Sequence, residues 1–103
     1  MVVLHFPFSD LTRTKRRPAL VLAALSGDDI VLCQITSQST RDAYSVALAR
    51  PDFASGGLNR ESNVRPNRLF TADSSIVLYK AGHITEAKLD EAIASVISIL
   101  KRV

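Results

Sequence analysis

Alternation of apolar and polar residues, together with short continuous apolar runs, divides most of the chain into predicted strands. Residues 2–8 alternate with the period of a half-buried strand, which places four apolar side chains on one face: Val2, Leu4, Phe6 and Phe8. Residues 19–25 are a continuous apolar run, and residues 30–35 are apolar except for Gln34. The sequence between them, Ser26-Gly27-Asp28-Asp29, is typical of a tight turn. These two runs therefore predict a β-hairpin.

Three further segments, 43–49, 62–72 and 76–81, also have the apolar pattern of short strands. Pro66 lacks the N–H that a central strand donates, so it predicts that 62–72 lies at a sheet edge. Residues 9–17 and 50–61 are rich in turn-forming and charged residues, and we expect loops there.

One helix is predicted, at the end of the sequence. Thr85 is a suitable N-cap, and Glu86 suits the positive end of the helix dipole. The apolar residues that follow recur at helical spacing, namely Leu89, Ile93, Val96, Ile97 and Leu100. Several short strands followed by one helix predict a mainly-β α+β fold, in which a twisted or barrel-like antiparallel sheet packs against the helix.

The composition is that of a small folded domain. A chain of 103 residues, 47% of them hydrophobic, is long enough for one core, so we expect a single domain over residues 1–103. The longest apolar run, 19–25, is too short to span a bilayer, and we expect no membrane association. The single cysteine, Cys33, excludes an internal disulfide and indicates a reducing compartment, so we expect a cytoplasmic protein.

The sequence indicates no metal and no cofactor. The two histidines, His5 and His83, are far apart in the chain, and Cys33 has no second cysteine beside it. The sequence also contains neither a glycine-rich phosphate-binding loop nor a nucleophile elbow. His5 shares its predicted strand face with Val3 and Pro7, which favours a packed side chain over a catalytic one.

The net charge of +3 is unevenly distributed. Residues 1–68 contain nine basic and six acidic side chains, whereas residues 69–103 contain four of each. Four of the nine basic residues lie between Arg13 and Arg17. The basic excess therefore lies in one part of the chain, and it suggests an anionic partner.

Three polar segments in this basic part are candidates for chemistry. Lys15-Arg16-Arg17 is either a solvated loop or a phosphate contact, and Arg17 is the best held because it precedes a buried strand. The second segment is Gln34-Ile35-Thr36-Ser37-Gln38. Its Thr36 and Ser37 follow the apolar stretch of a strand, where hydroxyl groups often only cap turns. The third segment, 63–68, is either an exposed edge or a row of hydrogen-bond donors, since an extended chain places Asn63, Arg65 and Asn67 on one face.

Taken in order, these segments resemble the PemK/MazF family of bacterial toxin–antitoxin endoribonucleases. The resemblance covers nearly the whole chain, and the matching stretches are Phe6-Pro7-Phe8-Ser9-Asp10-Leu11, Lys15-Arg16-Arg17-Pro18-Ala19-Leu20-Val21-Leu22, Leu32-Cys33-Gln34-Ile35-Thr36-Ser37-Gln38, Gly57-Leu58, Ser62-Asn63-Val64-Arg65 and Leu69-Phe70-Thr71-Ala72-Asp73. It implies a small SH3-like barrel and a toxin that cleaves single-stranded RNA without a metal. The implied partners are RNA, a cognate antitoxin and a second copy of the chain.

The resemblance also implies the site residues. By position, Arg17, Thr36 and Arg65 match the family's catalytic residues, with 2′-hydroxyl attack on the scissile phosphate as the reaction. A second set is expected to bind substrate, namely Lys15, Arg16, Ser37, Gln38, Asn67 and Arg68.

One position departs from the family pattern. In the members that have the second arginine, an acidic residue two positions later is the proposed base, and here that residue is Asn67. An asparagine side chain cannot accept a proton at neutral pH, so the resemblance assigns no general base. A non-catalytic binding module of the same fold, either a gyrase-poison-like protein or an inactive RNA binder, is therefore the alternative prediction.

Overall fold

A computed structural model describes residues 1–6, 15–38 and 43–102, without the side chains of Phe6 and Lys15. Within these residues the strands are β1 Val2–Phe6, β2 Lys15–Ala24, β3 Asp29–Thr36, β4 Val46–Leu48, β5 Phe53–Gly56, β6 Ser62–Asp73, β7 Val77–Lys80 and β8 Gly82–Ile84. Helix α1 spans Glu86–Leu100, and two short 3-10 turns are at Arg50–Asp52 and Ser74–Ile76. This helix is not long and apolar enough to cross a membrane, and the described residues contain no other candidate span.

The main sheet has six antiparallel strands in the order β4-β6-β3-β2-β1-β7, and β5 pairs with β8 in a second, two-stranded sheet. With one helix at its end, this arrangement confirms the predicted mainly-β α+β fold. The first strand ends at Phe6 among the described residues, and the predicted continuation through Phe8 lies outside them.

The predicted hairpin is confirmed, since β2 and β3 pair across the turn with Ala24 opposite Ile30. Gly27 has a φ of 74° in this turn, a conformation that favours glycine. The strand begins earlier than predicted, however. Lys15 and Arg17 belong to β2 rather than to a loop, because they pair with Phe6 and Leu4 of β1.

The predicted edge position of 62–72 is wrong. Strand β6 lies between β3 and β4, so it is an inner strand. Its register against β3 shifts by three residues, because Arg65 is opposite Gln34 whereas Leu69 is opposite Cys33. Pro66 lies in the resulting bulge, where the ladder does not need its missing N–H, and this is the physical reason that a proline is tolerated in an inner strand.

The predicted loop 50–61 contains a short strand. Phe53–Gly56 forms β5 and pairs with β8, which the apolar pattern did not reveal. Both strands are short, and their glycines allow the two backbones to approach closely. A Cβ added to Gly56 would overlap the carbonyl oxygen of Ala81.

Two apolar clusters occupy the two faces of the main sheet. The first lies against helix α1 and consists of Met1, Leu20, Cys33, Ile35, Val46, Leu48, Val64 and Ala92. The second lies on the opposite face and consists of Val2, Leu4, Ala19, Ile30 and Leu32. Because successive residues of a strand point to opposite faces, β3 contributes Cys33 to the first cluster and Leu32 to the second.

The helix begins as predicted, because the Thr85 hydroxyl accepts a hydrogen bond from the Lys88 N–H at 3.3 Å. Within the helix Ala92 and Val96 are buried, whereas Leu100 at its end is 69% exposed. The Lys88 ammonium group contacts Glu91 at 2.9 Å, and the hydrogen bond to that carboxylate raises the pKa of Lys88.

Three glycine substitutions separate backbone strain from steric overlap. Gly57→Ala should leave stability nearly unchanged, because Gly57 has open space around it and no positive φ. Gly27→Ala also has space, but its φ of 74° should cost about 1–2 kcal/mol. Gly56→Ala combines a φ of 66° with the overlap at Ala81 and should cost roughly 1–3 kcal/mol more. Urea unfolding measures all three, and equal losses at Gly27 and Gly56 would contradict the close approach of β5 and β8.

Candidate functional site

Three adjacent strands, β2, β3 and β6, bring the main polar candidates together. Gln34 of β3 is opposite Ala19 of β2 on one side and opposite Arg65 of β6 on the other. Further along β3, Thr36 is opposite Asn63. If the β2–β3 register is continued by two residues beyond the pair Ala19–Gln34, Arg17 is level with Thr36. Arg17 therefore lies at the same end of the sheet as Thr36.

These side chains share the sheet face that lies away from helix α1. Gln34 and Thr36 follow Leu32 at intervals of two residues, and Arg17 is opposite Leu4 of the second apolar cluster. The face is therefore apolar over the middle of the sheet and polar at one end. We call this polar end the site face, and it consists of Arg17, Gln34, Thr36, Asn63 and Arg65.

Hydrogen bonds hold the hydroxyl group of Thr36 in place. Thr36 is only 8% exposed, and its Oγ1 accepts a hydrogen bond from the Gln38 N–H at 3.2 Å. The carbonyl oxygen of Gln38 accepts another from the Asn63 side-chain amide at 3.3 Å. Asn63 thus ties the chain that leaves β3 back to β6, and it does so beside Thr36.

Arg17 and Arg65 are both half-buried, and Nε of Arg65 is buried. A partly buried guanidinium group loses less freedom on binding than a solvated one, and its planar donors match two phosphate oxygens. The site face therefore offers two partly buried cations and one oriented hydroxyl group to an anion. This is the arrangement that binding of a phosphodiester requires.

The first candidate segment divides between the two sheet faces. Arg16 is opposite His5 in β1, one residue out of phase with Arg17, so it points away from the site face. Its guanidinium group lies over the Tyr79 ring, 5.7 Å from the centroid. Lys15 belongs to the same sheet face as Arg17 by its register, but its side chain lies outside the described residues.

The remaining predicted substrate-binding residues surround the site face without belonging to it. Ser37 and Gln38 are exposed directly after β3. Asn67 and Arg68 are exposed in the β6 bulge. We expected Asn63, Arg65 and Asn67 on one face. The register places Asn63 and Arg65 on the same face, whereas Asn67 lies in the bulge and has no partner position in β3.

The histidines and the cysteine do not join the site face. The expectation of a packed His5 is wrong, because its side chain is exposed, and it lies on the opposite face from Arg17. Cys33 is fully buried in the first apolar cluster, and this burial raises the pKa of its thiol to about 12. Within the described residues, no three side chains of His, Cys, Asp or Glu form a group that could hold a metal ion.

Two residues of the site face, Gln34 and Asn63, lie in the predicted polar segments but were not assigned a catalytic or substrate-binding role. Both lie two positions from a residue that was, Gln34 from Thr36 and Asn63 from Arg65. Strand alternation alone was enough to place each of them on the same face as its neighbour. The pairing of Asn63 with Thr36 needed the sheet order, which the sequence pattern did not supply.

Comparison with known families identifies the family to which this fold belongs. Residues 2–100 match the family model described as PemK-like, MazF-like toxin of type II toxin-antitoxin system. The chain belongs to this toxin family. The predicted resemblance to PemK/MazF proteins is thereby confirmed over almost the whole length of the chain.

Solved structures of MazF toxins have the same fold. The Mycobacterium tuberculosis toxin MazF-mt6 aligns over 100% of this chain and 99% of its own, with a TM-score of 0.71 and 17% identity. MazF (Form-I) from Deinococcus radiodurans covers 98% of this chain and 93% of its own, with a TM-score of 0.73 and 19% identity.

A third structure contains a partner protein. It is an endoribonuclease in complex with its cognate antitoxin from a mycobacterial species, and it aligns over 96% of this chain and 90% of its own, with a TM-score of 0.72 and 16% identity. At these identities the structures establish the shared PemK/MazF fold. A search of curated proteins finds no match.

The raised pKa of Cys33 predicts an unreactive thiol in this PemK/MazF-like toxin. A pKa of about 12 means that very little thiolate, the reactive form, is present at pH 8. A thiol reagent such as DTNB should therefore label the native protein very slowly and label one thiol at once in guanidinium chloride. Rapid labelling of the native protein would contradict the packing of β3 against helix α1.

Proposed function

We propose that this chain is the toxin of a type II toxin–antitoxin system and that it acts as an endoribonuclease. Its substrate is single-stranded RNA, including mRNA, and cleavage proceeds without a metal ion by attack of the 2′-hydroxyl group on the adjacent phosphate. Family membership supports the toxin role. The observation that carries the catalytic proposal is the strand register that gathers Arg17, Thr36 and Arg65 on one face.

Arg17 and Arg65 bind the scissile phosphate in this proposal. Attack of the 2′-oxygen adds negative charge to the phosphate as the transition state forms, and fixed cations stabilise that state more than the ground state. Both arginines are half-buried on inner strands, so each loses less freedom on binding the phosphate than a fully solvated arginine would. Arginine stays charged at every accessible pH, which makes it a poor general acid.

Thr36 acts as a hydrogen-bond donor to a phosphate oxygen. Its Oγ1 already accepts a hydrogen bond from the Gln38 N–H, and this leaves the hydroxyl proton free to point at the substrate. The Asn63 amide holds the Gln38 carbonyl oxygen and so fixes the other end of this turn. Asn63 is therefore a positioning residue for Thr36.

The site face contains no Asp, Glu or His among its described residues. Gln34 and Asn63 cannot take a proton at neutral pH, and Asn67 in the bulge cannot either. The described groups thus account for charge stabilisation and substrate positioning. This composition is also the specific reason to keep an inactive RNA-binding protein of the same fold as the second candidate.

The proposed partners follow from the family. The related complex of an endoribonuclease with its cognate antitoxin supports an antitoxin partner for this chain. A homodimer is proposed as well, and Leu78 and Tyr79 on the outer strand β7 provide exposed apolar surface, at 42% and 50% exposure. We propose the cytoplasm as the compartment, because the single cysteine is a buried free thiol.

The proposed reaction predicts a dependence on the 2′-hydroxyl group and no dependence on metal. Purified protein in EDTA should cleave a single-stranded RNA and leave the same strand intact when it carries 2′-deoxyribose. The cleaved RNA should end in a 2′,3′-cyclic phosphate, since the attacking oxygen becomes bonded to phosphorus. Cleavage of both strands, or cleavage only after Mg²⁺ is added, would refute the mechanism. Binding of RNA without cleavage would instead support the inactive RNA binder.

Substitutions on the site face should lower the rate more than they lower stability. Arg17→Ala removes a charged donor and should lower kcat by roughly 10²–10³-fold, the usual effect of losing one transition-state donor. Thr36→Val should lower kcat in the same direction, and Thr36→Ser, which keeps the hydroxyl group, should restore most of it. Lys101→Ala is the control, because this exposed lysine follows the helix and is distant in the chain from the three site strands. Circular dichroism checks the fold of each variant. Full activity of both single variants, Arg17→Ala and Thr36→Val, would refute the assignment of the site.

A further inference from the structure

Two neighbouring cavities lie beside the outer strand β4. The larger has a volume of about 580 Å³ and is lined by residues of β4, the 3-10 turn and the segment between β5 and β6. The smaller has a volume of about 300 Å³ and is lined by Ser37, Asn63 and residues around β4. Neither cavity includes a catalytic residue of the proposed reaction.

The two cavities are adjacent, and the smaller one borders the site face. Asn63 belongs to the site face and also lines the smaller cavity, as does Ser37, which follows Thr36. Leu48, Ala49 and Glu61 line both cavities, so the larger one lies directly beyond the smaller. From Arg65 to Glu61 the chain runs four residues, about 13 Å at the rise of a strand. A strand of RNA bound at the site face is therefore close enough for a flanking nucleotide to reach the larger cavity.

The larger cavity has the chemistry of a nucleotide site. Arg50 and Arg60 line it, and within the described part of the chain neither guanidinium group is in an ion pair. Phe53 also lines it and packs against the first apolar cluster, so its ring is held in place. An aromatic ring beside arginine side chains is what single-stranded RNA uses for base stacking and phosphate contact.

Glu61 adds a means of distinguishing bases. Its carboxylate can accept hydrogen bonds from the exocyclic amino group that adenine, cytosine and guanine have and uracil lacks. An acidic peptide is the other polyanion that two arginines could attract, but its carboxylate side chains offer no flat base to the Phe53 ring and no N–H donor to the Glu61 carboxylate. The lining therefore favours a nucleotide over a peptide.

We propose that the larger cavity is a base-binding subsite for a nucleotide that flanks the cleaved phosphate. This inference rests on the proposed ribonuclease function. Arg50 and Arg60 contact the backbone phosphates, Phe53 stacks on the base and Glu61 selects bases with an amino group. The subsite thus contributes to the choice of cleavage sequence, while Arg17 and Thr36 act on the phosphate itself.

Binding of a strand that cannot be cleaved tests the subsite separately from the reaction. Fluorescence anisotropy with a labelled, mixed-sequence 2′-deoxy strand should show weaker binding by the double variant Arg50→Ala/Arg60→Ala. The slope of log Kd against log salt should fall by about 1.4, which is about 0.7 for each lost phosphate contact of a single strand. The control is Lys80→Ala/Lys101→Ala, which removes the same charge from exposed positions outside both cavities and should keep the wild-type slope.

Base selection is tested on the cleavage products. Wild-type protein and the variant Glu61→Leu, which has a side chain of similar size without an acceptor oxygen, are each given a mixed RNA pool, and the new ends are sequenced. The variant should lose its preference for amino-bearing bases at one flanking position and keep the others.

Each negative outcome has its own meaning. A wild-type protein that binds the strand but cleaves no RNA would refute the proposed ribonuclease function and leave the subsite standing. Equal affinity and equal salt slope for Arg50→Ala/Arg60→Ala and its control would overturn the subsite. The same result together with weakened binding of a polyglutamate peptide would assign the cavity to an acidic protein partner instead.

Discussion

The pairing of β3 with strands on both its sides is the constraint on which the rest of the structure depends. β3 is hydrogen-bonded to β2 and to β6, and its alternate residues point to opposite faces of the sheet. Cys33 and Ile35 therefore enter the core beneath helix α1, while Gln34 and Thr36 reach the opposite face. One strand thus secures the core and presents the site, and a slip of one residue would exchange the two sets.

Most of the strands, the helix and the central hairpin could be predicted from the sequence, because they rest on local periodicity and turn chemistry. Thr85 and the Gly27 turn are examples in which one residue type signals a boundary. Strand β8 could not be predicted in this way, since three residues are too few for a periodic pattern and its pairing with β5 is long-range. The inner position of β6 does not follow from the sequence pattern, because Pro66 excludes only a regular ladder and the bulge that accommodates it depends on the pairing with β3.

The candidate site was predictable to a similar degree and for similar reasons. Arg17, Thr36 and Arg65 were found through motif positions, and the register then brought them onto one face. Arg16 shows the limit of reading a charge cluster from sequence. It is adjacent to Arg17 in the chain, yet strand alternation sends it to the other face, where it contacts Tyr79. The cavity beside β4 depends on segments distant in the chain, so no single motif marks it.

The three-residue bulge in β6 has a consequence for comparing relatives by alignment. Arg65, before the bulge, is opposite Gln34, and Phe70, after the bulge, is opposite Leu32. Gln34 and Leu32 are two residues apart in β3 and share a face, so the odd-numbered Arg65 and the even-numbered Phe70 point to the same side. An odd number of extra residues thus reverses the parity of the strand. At identities of 16–19% between this chain and the related structures, a gap at 66–68 that is one residue too long or too short would equate core residues with site residues. Equivalent positions in this family are therefore better assigned from strand partners than from matching letters.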